Sequence, residues 1–132
     1  MTDLVACLGA GKGTWGGVLK LINSGKFQKI HLIVNQWTKD NLKLQKENLN
    51  LVLINSDDKT AKIRDAIIAQ LKGKVMDFEV AVNLDSGMGK EHTALITALV
   101  KLGLAFRFIV SEDDKVEDLT ADEKDYFESN SF

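Results

Sequence analysis

Apolar runs rich in β-branched residues alternate along the chain with stretches in which apolar residues recur every three or four positions. The runs have the length and composition of buried strands, and the stretches between them have the period of amphipathic helices. The pattern predicts five strands, at 3–9, 29–35, 50–55, 77–83 and 104–110. It predicts four helices between them, at 14–25, 38–48, 56–73 and 91–103.

Capping signals mark the ends of these helices. Thr38 and Ser56 are N-cap candidates for the second and third helices, because their side-chain oxygens can accept from free backbone N–H groups. Three helices end at glycines suited to C-terminal caps, Gly25, Gly73 and Gly103. The sequence TADE at 120–123 fits a capping box and predicts a short last helix through residues 126 and 127.

Strands separated by helices of about a dozen residues predict βαβ units, whose right-handed crossovers give a mostly parallel sheet covered on both faces. The fold class is therefore α/β. A length of 132 residues is typical of one domain with one hydrophobic core. We expect that domain to cover residues 1–110, followed by an acidic C-terminal extension over residues 111–132.

The composition is that of an ordinary folded domain, with 45% apolar and 27% charged residues. No apolar run approaches the roughly 20 residues that span a bilayer, and the N-terminus does not look like a signal peptide. We therefore expect a cytoplasmic protein with no membrane contact. The single cysteine, Cys7, lies among apolar residues and is expected in the core. No Cys/His cluster has metal-ligand spacing, so neither a metal nor a cofactor is expected.

Charge is distributed unevenly along the chain. Residues 1–110 carry 15 Lys and Arg against 10 Asp and Glu, whereas residues 111–132 carry 2 against 9. A basic body suits an anionic ligand, and the acidic end either contacts a protein partner, masks a basic surface or only adds solubility. Direct DNA binding is not expected, because no predicted helix has a dense Lys/Arg face.

The candidate chemistry lies in two glycine-containing loops, GAGKGTWGG at 9–17 and LDSGMGK at 84–90. They follow the first and fourth predicted strands, and ligands of open parallel sheets bind at the carboxyl ends of strands. Each loop combines glycines, a hydroxyl group and a lysine, which lets backbone N–H groups and an ammonium group approach an anion. The pair would form a phosphate-sized cradle; the alternative is that the glycines only make tight turns.

Familiar phosphate-binding motifs fit these loops poorly. In the Walker A motif a glycine would stand at Leu84, and the residue after Lys12 would be serine or threonine. The dinucleotide-binding fingerprint does occur, as Gly11, Gly13 and Gly16. However, the second strand ends in Asn35 and Gln36, without the acidic residue that holds a ribose hydroxyl in that motif. NAD-dependent redox chemistry is therefore disfavoured.

Two tryptophans and one histidine fall near the same predicted edge of the sheet. Trp15 and Trp37 either stack on nucleobases, each worth about 1–3 kcal/mol, or pack against a neighbouring subunit. His92 follows the lysine of the second loop, where it has either a phosphate or proton-transfer role or a plain surface position. His31 lies in the middle of the second strand and is expected to be structural, with a satisfied hydrogen bond.

The order of elements resembles the CARF family, the CRISPR-associated Rossmann-like domains of antiviral defence. The resemblance is carried by LVACLGAGKGT, KIHLIVNQWT and VAVNLDSGMGKEHTALITALVKLGLAFRFIV. It implies a Rossmann-like three-layer sandwich with a mostly parallel sheet of five or six strands. It also implies a homodimer that binds a cyclic oligoadenylate in a pocket formed by the loops after strands one and four.

Some members of that family cleave the bound ring without a metal, by aligning a ribose 2′-hydroxyl with the adjacent phosphate. On this resemblance, Lys90 and Thr14 are the candidates for a catalytic role. The implied ligand-binding residues are Gly9, Ala10, Gly11, Lys12, Gly13, Thr14, Trp15, Trp37, Thr38, Asp85, Ser86, Gly87, Met88, Gly89 and Lys90.

The chain departs from the family pattern in two ways. The usual Gly-Gly-Thr-Lys type of turn is replaced by residues 86–90, with Met88 where a polar residue is typical. The effector module that usually follows is not expected here, which implies a standalone sensor domain. Two other functions stay open: a regulatory protein-interaction module with an acidic tail, and a small enzyme acting on a phosphorylated metabolite.

Overall fold

A computed structural model of the chain describes residues 2–121. Its strands are β1 (Thr2–Leu8), β2 (Phe27–Val34), β3 (Leu49–Leu53), β4 (Glu79–Asn83), β5 (Ala105–Glu112) and β6 (Lys115–Asp118). Its α-helices are α1 (Trp15–Asn23), α2 (Gln36–Asn41), α3 (Thr60–Leu71) and α4 (Gly89–Lys101). The six strands form one sheet in the order β3-β2-β1-β4-β5-β6, in which only β6 is antiparallel to its neighbour. The predicted α/β, Rossmann-like fold class is confirmed.

The sheet is buried on both faces, which explains why its central strands are almost entirely apolar. Along β1, Val5 and Cys7 point into a core shared with α3 and α4, whereas Leu4, Ala6 and Leu8 point into a core shared with α1. Helix, sheet and helix therefore form three layers. Burial raises the pKa of the Cys7 thiol to about 12, with a smaller contribution from the negative charge of Glu91. Cys7 is a core residue, as predicted.

Strand order reverses between β1 and β4. From β1 the chain proceeds outward to β2 and β3, then returns to pair β4 with the other side of β1 and continues to β5. The chain segments after β1 and β4 consequently lead to helices on opposite faces of the sheet, α1 and α4. This switch point lies at the carboxyl ends of the parallel strands, where the sequence places its two glycine loops.

Two predicted helix starts are wrong. Helix α2 begins at Gln36, because the side chain of Asn35 caps it by accepting a hydrogen bond from the backbone N–H of Thr38 (2.8 Å). Thr38 is therefore inside the helix, which ends at Asn41 instead of reaching residue 48. Helix α3 begins at Thr60, and Ser56 does not cap it. Instead, the Ser56 hydroxyl donates to Glu91 on the neighbouring helix (3.1 Å).

The sheet extends further along the chain than predicted. Strand β5 continues past residue 110, and β6 returns antiparallel beside it, so that residues 111–118 belong to the sheet. Arg107 joins three strands, because its guanidinium donates to Glu79 on β4 and to Asp118 on β6, each at 3.0 Å. The rest of the predicted acidic extension, residues 122–132, and most of its short helix lie outside the described residues.

The turn between β5 and β6 is strained and can be improved. Asp113 and Asp114 both have positive φ angles, 51° and 59°, as in a type I′ turn, where Asn-Gly is favoured. We expect the double substitution Asp113→Asn, Asp114→Gly to stabilise the fold by about 1 kcal/mol. The lost ion pair between Asp114 and Lys20 is exposed and contributes little. Urea unfolding should show a higher midpoint, and an unchanged or lower one would contradict this reading of the turn.

Candidate functional site

The two glycine loops meet at the switch point, and we call residues 9–14 and 84–90 together the crest. Gly9 connects the two loops of the crest through a hydrogen bond of its backbone. Its backbone N–H donates to the Ser86 hydroxyl oxygen (2.8 Å), which joins the loop after β1 to the loop after β4. Its carbonyl oxygen accepts from the Trp15 indole N–H (2.8 Å) and, more weakly, from the Thr38 hydroxyl (3.3 Å). The ends of three parallel strands are thus held together at one residue.

A chain of hydroxyl groups fixes the distance between the loops. Ser86 and Thr14 share a hydrogen bond of 2.6 Å, and the Thr14 hydroxyl also lies 3.0 Å from the Gly11 carbonyl oxygen. Because that carbonyl can only accept, Thr14 donates to Gly11 and Ser86 donates to Thr14. Bonds aligned in this way strengthen one another. Ser86 is fully buried, so its hydroxyl connects the loops and is not open to a ligand; Thr14 is exposed.

Close backbone approach explains two of the glycines. A Cβ atom on Gly9 would lie 3.1 Å from the backbone nitrogen of Gly87, and Gly87 itself has a φ of +93°. These two positions therefore need glycine so that the loops can touch. The fingerprint glycines are different, because a Cβ atom on Gly11, Gly13 or Gly16 would meet nothing within 4 Å. Their backbone is open to the solvent side of the crest.

The N-termini of α1 and α4 both point into the crest. Neither Thr14 nor Met88, the N-cap residues, caps its helix with a side-chain hydrogen bond to the backbone. On the inner side of α4, the buried Glu91 carboxylate accepts from the Met88 backbone N–H (2.8 Å) and from Ser56. The positive end of α4 is therefore matched by a carboxylate inside the protein, whereas the exposed Asp85 lies at the surface of the crest.

The basic side chains of the crest have different environments. The Lys90 ammonium donates to the backbone carbonyl of Asp58 (2.9 Å), which connects α4 to the loop after β3. Lys12 is exposed in a short 3₁₀ turn (Lys12–Thr14) before α1. His92 is half-buried, and its Nε2 nitrogen lies 2.7 Å from the Ser86 carbonyl oxygen, so Nε2 carries a hydrogen and donates it. This bond ties His92 to the Ser86-Gly87 turn.

The two tryptophans have separate roles. Trp15 is buried, and its indole is fixed by the bond to Gly9, so its face is not open to a base. Trp37 is 45% exposed and contacts Trp15 edge to face, with ring centroids 6.3 Å apart and an interplanar angle of 60°. Trp15 therefore supports Trp37, and of these two tryptophans Trp37 is the one that presents an aromatic surface at this edge.

The predicted ligand-binding residues divide into two groups. Those that are buried or half-buried form the crest or support it from beside: Gly9, Trp15, Thr38, Ser86 and Gly87. Those that are exposed at its surface are Ala10, Gly11, Lys12, Gly13, Thr14, Trp37, Asp85, Met88, Gly89 and Lys90. The two catalytic candidates, Lys90 and Thr14, are both in the exposed group. Lys90 donates to the Asp58 carbonyl oxygen. Thr14 donates to the Gly11 carbonyl oxygen and accepts from the Ser86 hydroxyl.

Sequence reasoning missed a cleft beside the crest. An open cavity of about 700 Å³ lies between the loops after β2 and β3, with Trp37 and Asn35 on one side and Asn55 and Asp57 on the other. In the sequence, SDD at 56–58 suggested only the start of a helix. A second open cleft, of about 760 Å³, lies away from the crest between α1 and the β5–β6 turn.

No known family model and no curated protein sequence matches this chain. The resemblance to CARF domains therefore stays a prediction from the sequence motifs. Within residues 2–121, no helix has the length and apolar character needed to cross a membrane. In the same part of the chain, no three His, Cys, Asp or Glu side chains come together as metal ligands.

Proposed function

We propose that this chain is a nucleotide-binding sensor module of CARF type, which binds a cyclic oligoadenylate at the crest. The observation that carries the proposal is the joining of the two glycine loops through Gly9 and Ser86 at the strand-order reversal. Ligands of open α/β sheets bind at such a reversal of strand order. The CARF-like sequence motifs support the ring of adenylates as the particular ligand.

The outer surface of the crest suits the phosphates of such a ring. The backbone around Gly11, Gly13 and Gly89 has no side chain over it, so N–H groups can reach an anion directly. Lys12 and Lys90 add two positive charges against the one negative charge of Asp85, and the positive end of α4 favours the same ligand. Because Glu91 is buried behind the helix end, its charge faces the protein interior and the loop after β3.

The proposal includes a homodimer in the cytoplasm. A cyclic oligoadenylate is symmetrical and carries more phosphates than two lysines of one chain can neutralise, so two crests facing each other match it better than one. Met88, which is 71% exposed, is an apolar side chain at this edge that a second copy would cover. Protein partners that bind through the acidic C-terminal residues remain part of the proposal.

Slow ring cleavage without a metal is the second part of the proposal, with Lys90 and Thr14 in the catalytic roles. Alignment of a ribose 2′-hydroxyl with its phosphate requires stabilisation of negative charge more than a strong base. Lys90 can keep its bond to the Asp58 carbonyl and offer its other two N–H groups to the phosphate, whereas Thr14 must redirect a hydroxyl hydrogen now donated to Gly11. This rearrangement of Thr14 is the reason that we expect cleavage to be slow.

Thermal unfolding in the presence of cyclic tetra-adenylate and cyclic hexa-adenylate tests the proposal, with product formation followed in the same samples. A ring present at 100 times its dissociation constant should stabilise the fold by about 2.7 kcal/mol. A shift with mononucleotides alone would instead favour an enzyme acting on a phosphorylated metabolite. Absence of a shift with any ring or mononucleotide would contradict nucleotide binding at the crest.

Lys90→Ala is expected to weaken ring binding by about 10-fold or more and to abolish cleavage. The reason is the loss of a charged hydrogen bond to phosphate, which is worth about 1.5–3 kcal/mol. Titration of both proteins with the ring measures the change in dissociation constant. Lys101→Ala, at the far end of the same helix, is the matched control and should bind like the unmodified chain. Equal affinities of the Lys90 and Lys101 variants would remove Lys90 from the site.

A regulatory protein-interaction function is the second candidate, and one observation favours it. Met76 and Phe78 are 81% and 86% exposed in the loop that precedes β4, at the opposite edge of the sheet from the crest. Adjacent exposed apolar side chains of this size are typical of surfaces that contact another protein. Size-exclusion chromatography with Met76→Ser and Phe78→Ser tests this surface: a change in self-association would support its role in protein contacts.

A further inference from the structure

The cleft beside the crest supplies a group that the sequence motif lacks. In the dinucleotide fingerprint, a carboxylate at the end of the second strand holds the ribose hydroxyl, but β2 here ends beside Asn35 and Gln36. The structure brings Asp57, from the loop after β3, to the opposite wall of the same cleft. A cavity of about 700 Å³ is in the range that accommodates a nucleoside.

One wall of the cleft is a fixed aromatic surface. Trp37 is held from behind by its edge-to-face contact with Trp15, which is itself tied to Gly9. Its backbone carbonyl accepts from the Asn41 side chain (2.8 Å), which holds the residue within α2. The indole is therefore positioned before a ligand arrives, and its exposed face can stack on a base with little loss of conformational entropy.

Two side-chain amides of the cleft, those of Asn35 and Asn55, are held in place through their oxygen atoms. The Oδ1 atom of Asn35 accepts from Thr38, and the Oδ1 atom of Asn55 accepts from the Asp57 backbone N–H (3.0 Å). Among the described residues, neither amide nitrogen has a hydrogen-bond partner. Both Asn35 and Asn55 can therefore donate to ring nitrogens or carbonyl oxygens of a base, while their oxygens keep the loops in place.

The carboxylates after β3 are not equivalent. Asp58 has an ion pair with Lys62 (3.6 Å), and its backbone carbonyl is bound by Lys90. Asp57 has no ion pair with any described residue, although it lines the cleft. None of the described lysines and arginines lines the cleft, so a phosphate would be repelled there, whereas a hydroxyl group can donate to the Asp57 carboxylate. The cleft thus suits the uncharged part of a nucleotide.

We infer that this cleft binds the base and ribose of a ribonucleotide, with Trp37 stacked on the base, Asn35 and Asn55 donating to its edge, and Asp57 accepting from the ribose 2′-hydroxyl. This inference rests on the proposed function, in which the phosphates of the same ligand bind at the crest. The crest lies beside the cleft, because Lys90 of the crest donates to the Asp58 carbonyl in the loop after β3. A 2′-hydroxyl is the only free ribose hydroxyl in a 3′,5′-linked ring, so its recognition selects RNA-type rings over deoxy rings.

Adenosine and 2′-deoxyadenosine, which carry no phosphate, test the cleft separately from the crest. The full chain is titrated with each nucleoside while the two indole N–H resonances are followed by NMR. Adenosine should shift the Trp37 resonance saturably, with the buried Trp15 as an internal reference, and 2′-deoxyadenosine should bind at least 10-fold more weakly. Asp57→Asn should bring the two affinities within about 2-fold of each other, whereas the control Asp65→Asn, on α3, should keep the difference.

Two results would overturn the inference. One is the absence of any adenosine-dependent shift of Trp37; the other is an unchanged preference for adenosine in Asp57→Asn. Ring titrations separate this outcome from failure of the proposed function. If rings bind equally well to the unmodified chain, Asp57→Asn and Trp37→Ala, the cleft inference is wrong and the crest proposal stands. If adenosine binds as described but no ring binds, the cleft inference stands and the ring proposal is wrong.

Discussion

Gly87→Ala is expected to destabilise the fold by about 2–5 kcal/mol. The φ of +93° at this position costs a residue with a Cβ atom about 1–2 kcal/mol. The new methyl group would also lie 3.0 Å from Cys7 Cβ and 3.2 Å from His92 Nε2. Because Cys7 belongs to the central strand β1, it cannot move aside, and overpacking of this kind adds about 1–3 kcal/mol.

Gly89→Ala is the matched control for that substitution. Gly89 lies two residues further on, at the first position of α4, and a Cβ atom there meets nothing within 4 Å. Alanine at this position should be neutral or slightly stabilising, because it lowers the entropy of the unfolded chain. Urea unfolding of both variants measures the difference. Equal free energies of unfolding would mean that the turn after β4 is not held as tightly as the structure indicates.

His31→Ala is expected to cost about 3–5 kcal/mol of the free energy of unfolding. The fully buried imidazole donates from Nε2 to the Asp3 carboxylate (2.9 Å) and accepts at Nδ1 from the Asn50 amide (2.9 Å). The other oxygen of Asp3 has no hydrogen-bond partner among residues 2–121. Loss of His31 would therefore leave a buried carboxylate with no partner at either oxygen among the described residues. The expected cost is a large fraction of the about 5–15 kcal/mol of free energy that stabilises a domain.

A double variant tests whether that cost comes from the carboxylate. If Asp3→Ala is added to His31→Ala, no unpaired charge remains, so the double variant should be less destabilised than the sum of the two single variants. We expect a coupling energy of about 1–3 kcal/mol in denaturant titrations. Additive effects would show that the two side chains contribute independently, through packing alone.

The sequence predicts the strands because their burial on both faces demands apolar residues. In β1 and β2 every position that points to α1, α3 or α4 is occupied by an apolar or small residue, with His31 and Asp3 as the paired exceptions. Strand β6 is not predicted, because its sequence KVED has one apolar residue. It exists through pairing with β5 and through the bond from Arg107 to Asp118, neither of which is visible in local sequence.

The predicted second helix shows where local signals fail. Asn35 and Thr38 both suit an N-cap, and only the position where β2 leaves the sheet decides between them. Beyond Asn41 the polar sequence continues to look helical. However, Leu42 and Leu44, two positions apart, both pack against the core on the α1 side, which an extended chain permits and a helix does not.

Pairing of β1 with β4 determines which crest residues contact each other and which are buried. The sequence indicates that both loops lie at one edge, and the structure places them in contact there. The burial of Ser86 and Trp15 could not be predicted, because it depends on the distance between two loops 77 residues apart. Asp57 could not be assigned for the same reason: its role depends on β3 lying beside β2, so that it faces Trp37.

Isothermal titration of the purified chain with cyclic tetra-adenylate and cyclic hexa-adenylate measures the central claim, that the joined glycine loops form an anion site for a nucleotide. Saturable heat with one ring per two chains is the expected result for at least one ring size, and Lys90→Ala should weaken it. The account would be contradicted if neither ring gave heat with a chain that is shown to be folded by its cooperative unfolding.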